Sequence, residues 1–155
     1  MPAVTFNLFD NFRAKSQDGT GVNIETPGGN GIKCAIVTGS YTPDEDAHDF
    51  WDDVSANEVS GTGYTAGGNV MANGSVSAPN ASTGLVTVDI DDPATWSFNA
   101  SGFTDGRRSI VYLDTGTAGT STLIGYSNDF GSDQGNGNGD FTIEVNSAGL
   151  YTMPR

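Results

Sequence analysis

Residues Tyr41 to Gly68 read YTPDEDAHDFWDDVSANEVSGTGYTAGG, and the rest of the chain is organised around this stretch. Thr42 has the side chain to cap a helix, with Glu45 placed to reach back to it. Pro43 suits a first helical position, where its missing N–H costs nothing. Asp44, Glu45 and Asp46 would sit at the positive end of the helix dipole. Phe50, Trp51 and Val54 recur at three- and four-residue spacing, an apolar edge to lay on a sheet. The pattern predicts a helix over Pro43–Val54, anchored by Trp51, with Asp46, Asp49, Asp52 and Asp53 forming a solvated acidic face. That face is a candidate interface. Glu58 to Gly68 then reads as a glycine-punctuated connection into a strand, with Tyr64, Gly67 and Gly68 as its structural marks. Gly61-x-Gly63-x-x-Ala66 imitates a dinucleotide fingerprint, but that motif needs a strand before it and a helix after it. Here the order is reversed, and a tight β connection is the reading.

Away from this stretch, turn formers dominate. The chain has 155 residues, 22 of them glycine, and its apolar residues fall in short clusters between Gly, Ser, Thr, Asn and Asp. That spacing predicts an all-β fold, a single-domain antiparallel β-sandwich (jelly-roll-like) with one or two short helices, over residues 1–155. Phe6, Phe9 and Phe12 suit a short helix or turn, or a strand through Phe6 and Leu8. Val22–Glu25 offers a short strand. Ile32–Thr38 is a continuous apolar run, hence a strand covered on both faces. Val70 to Val76 is broken at Asn73-Gly74, a hairpin signal. Leu85–Ile90 alternates with Val86, Val88 and Ile90 inward. Trp96 and Phe98 are expected to share one face of a strand. Arg107–Leu113 reads as a central strand; Leu123–Tyr126, Phe141–Val145 and Leu150–Met153 follow as strands, with Asp129–Asp140 a long exposed loop.

Charge narrows the function classes. Nineteen acidic residues against six basic ones give a net charge of −13. A field of that sign repels phosphate backbones, so direct nucleic-acid binding is not expected; it suits a highly soluble surface, a cation-rich setting or a basic partner. No apolar run reaches the length of a membrane span, and no secretory signal opens the chain, so export would come by lysis or by release of a finished particle. Cys34, the single cysteine, lies in an apolar run and reads as a buried free thiol.

Candidate chemistry is sparse. His48 is the only histidine, and it sits among Asp46, Asp49 and Asp52 as a residue on a charged face would. No nucleophile, base and orienter can be assembled around it. Nothing marks two of the carboxylates as a glycosidase pair. The Asp129–Asp140 loop is rich in hard oxygen ligands but lacks the EF-hand order and its terminal glutamate, so no metal and no cofactor is expected. The Asn-x-Ser triplets at Asn73, Asn80 and Asn99 are chance matches in a chain rich in both residues.

A resemblance covers most of the chain. Its carriers are Tyr41-Thr42-Pro43-Asp44 with Phe50-Trp51 and Asp53, then Asn57-Glu58-Val59 and Gly61-Thr62-Gly63-Tyr64-Thr65-Ala66-Gly67-Gly68. Asp91-Asp92 with Thr95-Trp96, Ile110-Val111-Tyr112, Leu123-Ile124-Gly125-Tyr126 and Gly139-Asp140-Phe141-Thr142-Ile143 continue it, and Phe9, Asn11, Phe12 and Lys15 open it. The arrangement resembles a family of small virion proteins of tailed bacteriophages, of capsid decoration or head or tail appendage type. The insertion Thr26–Gly31 and the loop Gly131–Gly139 depart from that pattern. The resemblance implies a non-enzymatic structural role in the virion, made in the host cytoplasm. Its implied partners are the major capsid protein or other virion proteins, with the chain present in many copies as a homo-oligomer on the particle. Head-fibre or tail-fibre attachment, or a carbohydrate-binding adhesion module, are the other roles to weigh.

Overall fold

The computed structural model describes residues 3–154, and residues 1, 2 and 155 lie outside that range. Eight strands form two antiparallel sheets, with one α-helix and three single-turn 3-10 helices. The all-β expectation holds. In chain order the elements are β1 (Phe6–Leu8), α1 (Asp10–Asp18), β2 (Ile32–Thr38), β3 (Asn69–Met71), β4 (Ser75–Val76), β5 (Leu85–Asp89), β6 (Gly106–Leu113), β7 (Leu123–Ser127) and β8 (Tyr151–Pro154). The larger sheet runs β1-β7-β6-β2-β3 and the smaller β4-β5-β8.

Both phenylalanine readings apply in sequence: Phe6 is in β1, while Phe12 is the buried face of α1. The helix ends at Gly19, whose left-handed φ of 77° closes it without a Cβ penalty. β2 shows why a continuous apolar run is a strand covered twice. Its alternate side chains face opposite ways. Ile32, Cys34 and Ile36 join the core between the sheets, with Val88, Ile90, Trp96, Ile124, Ile143 and Leu150. Ala35 and Val37 join a second core on the outer face, with Tyr41, Trp51, Val54, Ile110, Tyr112 and Leu123. The molecule therefore has three layers: the small sheet, the large sheet and the irregular segment after Tyr41. β6 is central as expected, paired with β2 from Ile32↔Leu113 to Thr38↔Gly106 and with β7 on its other side.

The structure corrects several expectations. Pro43–Val54 is not a helix. One helical hydrogen bond forms, from His48 N to Asp44 O, after which Phe50 is fully extended (φ −132°, ψ 165°). Phe50 bridges Thr122, Trp51 N–H donates to Ser121 O at 2.9 Å, and Leu123 N–H donates to Asp49 O at 3.1 Å. Pairing with the β6–β7 connection outcompetes local propensity, leaving only the 3-10 turns Trp51–Asp53 and Ser55–Asn57.

Asn73-Gly74 is not a hairpin turn. Asn73 takes a left-handed φ of 52° and its side chain donates to Asp91. The chain there leaves the large sheet at β3 and enters the small sheet at β4, so the two strands never pair. Val22–Glu25 forms no strand, although Ile24 is buried. Trp96 and Phe98 part company: Trp96 is 2% exposed and Phe98 57%. Only an isolated bridge, Trp96 to Phe141, represents the strands expected around both. Asp129–Asp140 is not simply exposed, since Asn136 at its centre is fully buried.

Candidate functional site

Two neighbouring features of the Tyr41–Gly68 stretch make up the candidate site: a buried polar knot at Glu58–Gly68 and an acidic outer segment ahead of it.

The knot exists because β3 is short. It pairs with β2 only over Ile32–Cys34, so the backbone of β2 beyond that point lacks a strand on that side. An unpaired buried backbone group is costly, and something must cover it. Val59 N–H donates to Ile36 O at 3.0 Å, and Glu58 bridges Val37. Ile36 N–H donates to the Tyr64 hydroxyl at 3.0 Å. That hydroxyl donates in turn to Glu58 Oε1 at 2.7 Å, which also accepts Gly67 N–H at 2.6 Å. The Tyr112 hydroxyl completes the circuit by donating to Gly67 O at 2.8 Å.

The ring of Tyr64 meets Trp96 face-on at 6.1 Å and Phe103 edge-on at 5.3 Å. Gly68 (φ 77°) lies so close to the Cys34 carbonyl that a Cβ there would collide with it. Burial raises the Glu58 carboxyl above its ordinary range, only partly offset by its Tyr64 and Gly67 donors and by Lys33. Lys33 itself pairs with Asp114 at 2.8 Å, both side chains largely buried. Burial also pushes the Cys34 thiol up to about 12, which fits an inert core thiol.

The acidic segment is a turn and an extended run, so the helix on which its four carboxylates would form a face is absent. Asp46 is exposed, in a turn where Asp44 Oδ1 accepts the N–H groups of Asp46 and Ala47. Asp49 is half-buried; Asp52 is exposed. Asp53 holds the local backbone in place, because its Oδ2 accepts Asp49 N–H at 2.9 Å and Phe50 N–H at 3.0 Å. His48 is more tied down than the sequence suggests. Its Nδ1 accepts Asp44 N–H at 3.2 Å and lies 3.0 Å from the Tyr41 hydroxyl, with the two rings stacked. The titratable group that meets it is the Tyr41 phenol, which burial raises above its ordinary range.

The Asp129–Asp140 loop is organised by cations of the chain itself. Arg107 donates to Asp129 Oδ1 through Nε (3.0 Å) and Nη2 (2.6 Å), and to Asp133 at 3.3 Å. Arg107 holds the Asp129 carboxyl below its usual range, helped by Gly131 N–H. Among the described residues no group of three His, Cys, Asp or Glu is arranged to hold a metal. The residue that sequence reasoning missed is Asn136. Its Oδ1 accepts Phe103 N–H at 3.0 Å, and its Nδ2 donates to Thr62 O and Ser97 O at 3.1 and 3.0 Å. It pins three loops to one point, and nothing in a Gly-Asn-Gly-Asn run distinguishes it from its neighbours.

The surface clefts are open grooves. One of 480 Å³ between α1 and β8, lined by Leu8, Phe12, Arg13 and Met153, is mostly apolar and holds no converging set of titratable groups. No described helix is long and apolar enough to cross a membrane. Fold and site together define a small all-β domain whose specific-looking glycine-rich segment is a structural knot. Comparison with family models, with curated proteins and with solved structures yields no match.

Proposed function

We propose that this chain is a non-enzymatic structural protein of a tailed-phage virion, a decoration protein bound in many copies to the outer surface of the head. The observation that carries the reading is the division of labour within Tyr41–Gly68. One part that carries the resemblance, Glu58–Gly68, is spent on covering β2 and holding the sheet. The part ahead of it displays Asp46 and Asp52 to solvent on the outermost layer. The chain's cations support the same view. Four of the six basic residues, Arg13, Lys33, Arg107 and Arg108, are engaged with its own carboxylates. The surplus negative charge is therefore left at the surface, where it suits a basic patch on a capsid protein.

The test mixes purified protein with particles stripped of it, at low and high salt, and counts retained copies. Retention in a fixed ratio to the capsid protein, weakened by salt and by Asp46→Asn with Asp52→Asn, supports decoration. A few copies per particle would favour the head-fibre or tail-fibre attachment role. No retention would sink both.

One observation favours a second reading, a carbohydrate-binding adhesion module. Phe98 is an aromatic left 57% exposed, and its backbone N–H is held by Asp140 Oδ1 at 2.7 Å, so an apolar ring is offered to solvent from a tethered piece of backbone. Binding on a glycan array that is lost in Phe98→Ala would establish it.

A further inference from the structure

Four Asn-Gly steps punctuate the chain: Asn30-Gly31, Asn73-Gly74, Asn136-Gly137 and Asn138-Gly139. Such a step is chemically weak. The glycine nitrogen follows the asparagine side chain directly, and with no Cβ on the glycine nothing hinders its approach to Cγ. Attack requires a free glycine N–H, a side-chain amide that can swing toward it, and a backbone free to pucker into a five-membered ring. The four sites differ sharply on these requirements.

Asn136 fails all of them. It is fully buried, both side-chain polar atoms are bonded, and Gly137 N–H donates to Phe103 O at 3.0 Å. At Asn30 the side chain donates to Asp114 Oδ2 at 3.2 Å and Gly31 N–H donates to Gly28 O at 3.3 Å. At Asn73 the amide is held by Asp91 at 2.6 Å, and Gly74 is wedged against the backbone of Ile24. Asn138 is exposed, and among the described residues neither its side chain nor Gly139 N–H has a hydrogen-bond partner. The place where a Cβ would sit on Gly139 meets nothing within 4 Å.

We propose that Asn138-Gly139 is a site of spontaneous covalent modification, through a succinimide, to aspartate and isoaspartate. The Gly139 nitrogen loses its proton and bonds to Cγ of Asn138. The Cγ–Nδ2 bond breaks, and ammonia leaves carrying that proton. Water then opens the ring at either carbonyl, giving an aspartyl or an isoaspartyl linkage. Solvent water is the co-reactant, and no oxidant or reductant takes part. The product carries one more negative charge. In the isoaspartyl form the backbone gains one methylene between two fixed points, buried Asn136 and the Asp140 carboxylate that caps Phe98 N–H. The modification thus alters the loop beside the exposed aromatic while leaving both cores alone. It stands whatever the protein's role.

The experiment holds the folded protein in mildly alkaline buffer and follows it by peptide mapping, with fragmentation that separates position 136 from 138. Each event adds about 1 Da. In the folded protein Asn138 should react first, roughly ten-fold or more faster than Asn136, which reacts only through local opening. In the urea-unfolded chain the four sites should react at comparable rates. Asn138→Gln should abolish the leading signal without changing the melt. A lead by Asn30, Asn73 or Asn136 in the folded protein would overturn the assignment. So would an unreactive folded chain over a period in which the unfolded chain reacts.

Discussion

The indole of Trp51 lies flat on the phenol of Tyr112, ring centroids 4.4 Å apart and planes 4° from parallel. This stack fastens the outer segment to the central strand β6. The Tyr112 hydroxyl reaches past it to the Gly67 carbonyl, so the same two rings link the outer layer to the polar knot. Trp51→Ala should therefore cost about 3–5 kcal/mol, as the loss of a large buried aromatic does. Against a total of about 5–15 kcal/mol, that leaves a marginal protein. Urea unfolding measures it, and a midpoint equal to the parent's would refute the anchoring role.

The acidic residues should separate by what their oxygens hold. Asp53 accepts two backbone N–H groups, so Asp53→Ala should lose about 0.5–2 kcal/mol, the range for a lost cap. Asp46→Ala, at an exposed turn, should melt within error of the parent. Equal melts for both variants would mean the Asp53 bonds contribute nothing.

Glu58 gives a pH signature. Its carboxyl is raised in the folded protein, chiefly by burial, so the folded chain holds this proton more tightly than the unfolded chain. The resulting stability is complete below the ordinary carboxyl range and fades as pH climbs through the raised value. Glu58→Gln keeps an acceptor for Tyr64 and Gly67 but cannot ionise. Its stability relative to the parent should therefore improve as pH moves from acid toward neutral. Asp114 and Asp129 are lowered instead, so their contribution is lost only at more acid pH, equally in both proteins. Parallel stability curves across that range would contradict the assignment.

Gly68 should tolerate no side chain. Its φ of 77° strains any residue with a Cβ, by about 1–3 kcal/mol. The Cys34 carbonyl occupies the space as well, so Gly68→Ala should fall below the threshold for folding at growth temperature. Gly28→Ala, at a position with open space around it, should melt like the parent. Soluble yield and thermal melts decide, and a well-folded Gly68→Ala protein would disprove the close approach.

Strands that carry their own signal are legible in the sequence. Ile32–Thr38, Arg107–Leu113 and Leu123–Tyr126 are apolar runs bounded by turn formers, and each is a strand within a residue or so. The absence of a helix at Pro43–Val54 is not, because cap, proline and spacing all agree locally. What overrides them is Thr122 pairing with Phe50, some seventy positions away and silent in a local window. Conversely, α1 runs on to Asp18, well past the Phe6, Phe9 and Phe12 spacing that signals it. Of the site, Trp51, Tyr64, Gly67 and Gly68 stand out in the sequence, but the partner that explains Tyr64 and Gly67 is Glu58, which there only opens a connection, and Gly68 answers to the Cys34 carbonyl. Asn136 is invisible because burial of one asparagine depends on three loops converging.

The pairing of distant strands also dictates an order of events during synthesis. Phe6 must find Ser127, and Ile32 must find Leu113, so the large sheet cannot close until Ser127 has left the ribosome. Until then Ile32–Thr38 is an apolar strand with no β6 to receive it, and only the short β3 to shield one edge. Such long loops close slowly, and an uncovered strand is a template for pairing with another nascent chain. The interval between the emergence of β2 and of β6 is thus the vulnerable period. Its hazard grows with the rate of translation initiation on one message, through crowding of neighbouring nascent chains, more than with the stability of the finished fold.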